Sequence, residues 1–158
     1  MIKILNASAE FQDVVFPVHP RTRNHLKNFN LLDSISKKVR LIDPLGYLDF
    51  VSLEKNASAV LTDSGGIQEE TTFLGIPCIT AREETERPST VEIGSNVVVG
   101  LNTSKIVDNL ELIQTKKFKK GGIPEFWDGK AAERIAKILL DFECSTCFSE
   151  TNAISSTQ

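Results

Sequence analysis

At 158 residues, 41% of them hydrophobic, the chain holds enough apolar material for one ordinary domain with a real core. A net charge of −3 and a pI near 5.5 argue against a nucleic-acid binder held by phosphate contacts. No apolar run approaches the roughly 18 residues of a membrane span, and the opening Met1-Ile-Lys-Ile-Leu-Asn-Ala is too short and mixed for a signal peptide, so a soluble, cytoplasmic chain is expected.

Residues 1–12 read as the end of an amphipathic helix, with Ile4, Leu5 and Phe11 as its apolar positions and no cap signal ahead of it, as if the chain began mid-fold. A strand over 13–18 runs into a loop at His19 and Pro20, and Pro17 suits only the very end of such a strand. A short helix over 22–29 and a strand over 39–43 follow. Residues 44–56 predict a helix packed through Tyr47, Leu48, Val51 and Leu53. Ala59-Val-Leu-Thr-Asp is then a short apolar run that suits a buried parallel strand.

Ser64 is a good N-cap for the next helix, in which Ile67, Thr71 and Leu74 recur at helical period. Gly75 and Pro77 stop it, and Pro77-Cys-Ile opens another strand. Pro88 is placed to begin a helix, 96–100 is a strand, and 104–114 is a helix with Ile106, Val107, Leu110 and Ile113 inward. A loop over 118–128 leads to a final helix over 129–142, with Ala132, Ile135, Ala136 and Leu139 on one face. The expected division is a domain over 1–142 and a disordered Ser/Thr-rich tail over 143–158. Strands alternating with helices at this spacing predict an α/β, Rossmann-like parallel sheet with helices on both faces. In such sheets ligands bind at the carboxyl ends of the strands, which places His19, Asp43, Asp63-Ser64, Arg82 and Gly100 along one edge.

The chemistry concentrates at Asp63-Ser-Gly-Gly-Ile-Gln-Glu-Glu. Gly65 and Gly66 open the helix, where each costs up to roughly 1 kcal/mol against alanine. Glycine is useful there if a ligand presses against bare amides, and a helix N-terminus with unpaired N–H groups suits a phosphate. Side chains lean toward the helix N-terminus, so Glu70 leans over Gly66, whereas Glu69, about 200° around the wheel from Ile67, faces solvent. A carboxylate beside a phosphate site suits a ribose diol, and the combination points to a nucleoside diphosphate. An ordinary βα turn with a solvated Glu pair is the competing interpretation. Of the three cysteines, Cys78 falls in a core strand as a buried thiol; Cys144 and Cys147 form a CxxC with no second pair, histidine or βαβ context, which argues against a metal or redox site.

Four motifs, Phe16-Pro-Val-His-Pro-Arg-Thr, Ile42-Asp-Pro-Leu-Gly-Tyr-Leu-Asp-Phe, Leu61-Thr-Asp-Ser-Gly-Gly-Ile-Gln-Glu-Glu and Thr85-Glu-Arg-Pro, together resemble the non-hydrolysing UDP-N-acetylglucosamine 2-epimerases. The resemblance runs from about residue 10 to residue 140 and implies the C-terminal half of a two-domain GT-B fold. It implies that Ser64, Gly65 and Gly66 bind the diphosphate of UDP, that Glu70 binds the ribose, that Phe50 lies against the uracil, and that Arg87 is a further contact to the nucleotide-sugar. His19 lies near the cleft in such enzymes and is the one candidate here for a catalytic group, although a histidine before Pro20 equally suits a loop cap. Leu45 stands where some members place a glutamine at the uracil side, which weakens that contact or leaves it to backbone groups.

The implied reaction converts UDP-GlcNAc to UDP-ManNAc by elimination and re-addition of UDP, without an organic redox cofactor or a metal, in the cell-surface polysaccharide biosynthesis where the family serves. Its acid and base come from the amino-terminal half and hinge, so this chain alone is expected to bind UDP weakly and not to turn over. The implied partners are that half, as a separate chain or lost by truncation, and a second copy in a homodimer. Two other readings stay open: the matching half of a GT-B glycosyltransferase, against which Thr85-Glu-Arg-Pro argues, and a non-catalytic nucleotide-sugar-binding fragment. In a purely structural role, Arg87 would pair with Glu84 or Glu70, Phe50 would be core, and Tyr47 and Trp127 are assigned to packing.

Overall fold

Parallel pairing dominates the structure, as the alternation of strands and helices predicts. The computed structural model describes the backbone of residues 1–35 and 37–151 and the side chains of 1–35 and 37–142. It divides into two compact units, Met1–Ile123 and Pro124–Gln158. In the first, β1 (Val14–Pro17) pairs with β2 (Val39–Ile42), and β3 (Val60–Thr62), β4 (Cys78–Thr80) and β5 (Asn96–Val98) form a second ladder. Every pair is parallel, and the strands end level: Pro17 opposite Ile42, and Thr62 opposite Thr80 opposite Val98. Pro17 closes its strand, the place where a missing N–H disturbs the ladder least. The connecting helices are α1 (Ile2–Ala9), α2 (Pro20–Asn28), α3 (Tyr47–Lys55), α4 (Gly65–Leu74), α5 (Pro88–Glu92) and α6 (Thr103–Gln114).

Successive strand residues face opposite sides, and β4 shows both. Ile79 packs with Ile4 of α1, Val99 and Ile106 of α6, backed by Leu61, Val97, Leu110 and Ile113. Cys78 and Thr80 face the other way, toward α4 and α5, so helices cover both faces. The helix α1 serves two cores: Ile4 enters the one just described, while Leu5 and Ala9 pack on Val39 with Val14, Phe16, Ile35 and Leu41. Phe11 lies beyond the end of α1, two residues outside its apolar face.

Two expected faces of this unit turn out differently. In α3 the buried residue is Glu54, whereas Tyr47 and Leu48 are 68% and 81% exposed, so neither packs inward. The buried face of α4 is centred on Gln68, Thr71 and Thr72 rather than on Ile67 and Leu74, a rotation of one residue that sets polar groups against the sheet. The periodicity of apolar residues could not reveal this, because the groups facing α4 from β4, β5 and α5 are themselves polar.

The second unit holds α7 (Ala131–Thr151) and the segment before it. Asp128 accepts from both guanidinium nitrogens of Arg134 and from the Lys130 N–H, and the Arg134 bond holds its carboxyl down at about 2. The same guanidinium lies 4.9 Å from the centroid of Phe126. Ile135 and Leu139, expected to face inward, are more than half exposed. The helix runs past Phe142 to Thr151, since no glycine or proline interrupts that stretch; the remainder of the expected tail, and the side chains of Cys144 and Cys147, lie outside the described residues. Among the described residues, no helix is long and apolar enough to cross a membrane.

Candidate functional site

The chain leaves β3 at Thr62, whose hydroxyl accepts the Ser64 N–H at 3.0 Å and turns the backbone toward α4. Ser64 is the N-cap in extended conformation, but its hydroxyl makes no capping bond, so the first amides of α4 are left to another acceptor. At the far end Gly75, at φ +70, closes the helix in the left-handed region, where glycine alone is unstrained. A side-chain carbon built on Gly66 would meet nothing nearer than Ser64 Oγ at 3.9 Å, and one on Gly65 would meet Cγ and Nε of Arg87 at 3.9 Å. Packing within the protein therefore does not require either glycine, and the space that they clear is open to a ligand.

Arg87 stands beside that opening, and its backbone is fixed with care. Its N–H donates to Thr85 Oγ1 at 3.0 Å, and its carbonyl accepts from Thr90 Oγ1 at 2.7 Å. Thr85 Oγ1 in turn donates to Gln68 Oε1 at 2.6 Å, and Gln68 Oε1 also accepts from Asn96 Nδ2 at 3.1 Å. Asn96 Nδ2 reaches Thr90 Oγ1 at 3.0 Å, and Asn96 Oδ1 accepts from Thr80 Oγ1 at 2.6 Å. Gln68, Thr80, Thr90 and Asn96 are fully buried. One polar network thus ties α4, β4, β5 and α5 to the segment that carries Arg87, and in a buried setting such networks fix geometry as well as adding stability.

The Arg87 side chain pairs with Glu69, Nε to Oε1 at 3.0 Å, neither of the partners that a structural role suggested. Glu69 was expected in solvent; it instead turns toward the Arg87 segment. The contact is one of charge rather than alignment, because Nε is buried without a well-formed hydrogen bond. Both partners are about 40% exposed, so the pair is worth at most about 1 kcal/mol and leaves the guanidinium free to engage an anion.

Glu70 meets a second carboxyl group. Glu54, on the neighbouring α3, is 2% exposed, and its side chain lies within hydrogen-bonding reach of Glu70. Burial, with the Glu70 charge and hydrogen bond adding to it, raises the Glu54 carboxyl to about 7. Phe50, one turn before Glu54 on the same helix, is half-buried. So Ser64, Gly65, Gly66 and Arg87 gather at the α4 terminus, while Glu70, further along α4, faces Glu54 on the neighbouring α3, the helix that also carries Phe50. Leu45 lies just before α3 and is 38% exposed.

His19 follows the carboxyl end of β1. It caps α2, Nδ1 accepting the Arg21 N–H at 3.3 Å, the loop-capping alternative raised by the following proline. Beside it Arg23 of α2 pairs with Asp43 just past β2 at 3.1 Å. A cavity of about 370 Å³ opens at the opposite ends of the strands, between Gly75, Pro77, Ser95 and Lys119, and has no helix N-terminus in it. Glu54, Glu69 and the Gln68 network are what the sequence reading missed. The one available signal was spacing: Glu54 follows Phe50 by four residues on α3 and so shares its face.

The parallel strands covered by helices on both faces, with an open, glycine-led helix terminus, define an α/β, Rossmann-like half of the GT-B kind. Residues 1–140 match the family model for UDP-N-acetylglucosamine 2-epimerase, and the chain belongs to that family. It is 49% identical over 128 residues to the UDP-N-acetylglucosamine 2-epimerase of Methanocaldococcus jannaschii, covering 80% of this chain and 34% of that protein. It is 40% identical over 126 residues to the UDP-2,3-diacetamido-2,3-dideoxy-D-glucuronate 2-epimerase of Pseudomonas aeruginosa, again covering 80% of this chain and 34% of the relative. The crystal structure of the M. jannaschii UDP-GlcNAc 2-epimerase in complex with UDP-GlcNAc and UDP superposes with a TM-score of 0.73 at 45% identity, over 87% of this chain and 40% of that one. The chain therefore spans about a third of the length of these curated relatives.

Proposed function

We propose that this chain is the UDP-binding half of a UDP-N-acetylglucosamine 2-epimerase, with the diphosphate on the α4 terminus, the ribose on Glu70 and the uracil side against Phe50. The observation that carries the reading is the clear space over Gly65 and Gly66, with an uncapped helix N-terminus beneath it and the Arg87 guanidinium at its edge. The names of the two relatives share UDP and differ in the sugar, so UDP is the part of the ligand assigned to this site.

In the proposed mechanism a base takes the C2 proton of UDP-GlcNAc and the anomeric C–O bond breaks, leaving a C1–C2 double bond, while negative charge grows on the departing diphosphate. The fixed N–H groups of Gly65 and Gly66, with the Ser64 hydroxyl, stabilise that charge without reorganising, and Arg87 exchanges Glu69 for a phosphate oxygen. Re-addition of UDP after a proton has been delivered to the other face of C2 gives UDP-ManNAc. The acid and base for C2 belong to the rest of the enzyme, beyond the third that this chain spans, and reach the site from that part or from a second chain. A homodimer is proposed on the same footing, and so is a cytoplasmic location, where nucleotide-sugars are made.

Calorimetric titration with UDP tests this reading. The folded chain is expected to bind UDP, and Gly66→Val and Glu70→Ala are each expected to weaken binding by about tenfold or more, the loss of one or two charge-assisted hydrogen bonds. A folded chain that takes up no UDP, or variants that bind as the parent does, would overturn it.

A further inference from the structure

Glu54 is the most deeply buried carboxyl among the described residues, and neither of its oxygens has a hydrogen-bond partner among ordinary donors. The group within reach is the Glu70 carboxyl, presented by α4 where it packs on α3. Two carboxylates in contact repel, whereas a carboxylic acid and a carboxylate form a short, strong hydrogen bond through one proton. The other titratable group that senses Glu54 is the Cys78 thiol on β4, itself pushed up by burial; Lys119 acts on Cys78 from beyond α6.

We propose that Glu54 is a positioning residue for nucleotide binding: it holds a proton shared with Glu70 and so fixes the rotamer in which Glu70 accepts from the ribose diol. The ribose role of Glu70 rests on the function proposed above; the shared proton does not. Its consequence is that affinity is set by protonation of a residue that never touches the ligand. When the shared proton leaves, the two charges push Glu70 off its rotamer and the diol loses an acceptor. Stability follows the same proton. A carboxyl raised from 4.5 unfolded to about 7 folded takes up a proton on folding, so stability falls as pH rises through that window and is level above it.

The test uses the 158-residue chain and UDP-N-acetylglucosamine, whose pyrophosphate has no proton to lose near neutrality. For the parent, affinity is expected to fall about tenfold between about pH 6 and about pH 8.5, the worth of one charge-assisted hydrogen bond. Glu54→Gln, which keeps a donor for Glu70, is expected to bind tightly with no such slope, and Glu54→Leu, which offers none, to bind weakly at every pH. A purely structural Glu54 would give no slope in the parent. A slope that survives in Glu54→Gln would overturn the proposal. Side-chain carboxyl ¹³C titration without ligand separates the two layers. A Glu54 resonance that titrates near the ordinary value would sink the shared proton. A resonance that titrates near neutrality, in a folded chain that binds no nucleotide at any pH, would keep the shared proton and overturn the ribose role together with the reading of the site.

Discussion

The two faces of β4 are built from different chemistry, three residues long and one residue apart. On one, Ile79 sits in hydrocarbon with Ile4, Val99 and Ile106. On the other, Thr80 enters a chain of hydrogen bonds through Asn96 and Gln68 that ends at the backbone of Arg87. Apolar burial stabilises strongly but tolerates small displacements, because dispersion has little direction. Hydrogen bonds add less and fix angles. The apolar face thus secures the fold, and the polar face places a guanidinium beside a helix terminus.

The comparison can be broken at its largest expected effect first. Ile79→Ala removes a fully buried side chain and is expected to cost about 2–5 kcal/mol in denaturant unfolding. The fraction that remains folded should bind UDP as the parent does; a parallel loss of affinity would show that the two faces are not separable. Asn96→Leu keeps the volume and strips partners from Thr80, Thr90 and Gln68, for an expected cost of about 1–3 kcal/mol. Here UDP affinity should drop even where the protein is fully folded, because the Arg87 segment loses its anchor, and calorimetry below the unfolding transition would detect it. The smallest effect is expected at Asp128→Asn, in the exposed pair with Arg134, which should leave the unfolding midpoint unmoved within error at moderate salt.

What could be read from the sequence was what depends on neighbours in sequence. Ser64 and Gly75 mark the ends of α4 because caps act within one turn, and Pro17, Pro88 and Gly75 punctuate as their backbones require. The residues gathered at the α4 terminus were legible for the same reason, since three of the four are adjacent in sequence. What could not be read depends on what lies across a contact. Leu48 is apolar yet exposed, and Glu54 is ionisable yet buried, because another helix, not the pattern of α3, decides which side is covered. Glu69 pairs with a cation eighteen positions away for the same reason.

The short helix α1 puts Ile4 into one core and Leu5 with Ala9 into the other. It acts as a rivet through two plates. Two ladders that share no hydrogen bond in the described structure are joined through adjacent side chains of one segment, so neither can slide without withdrawing the same eight residues. Loosening that rivet would loosen both plates together, so α1 couples the His19 end of the unit to the Gly66 end.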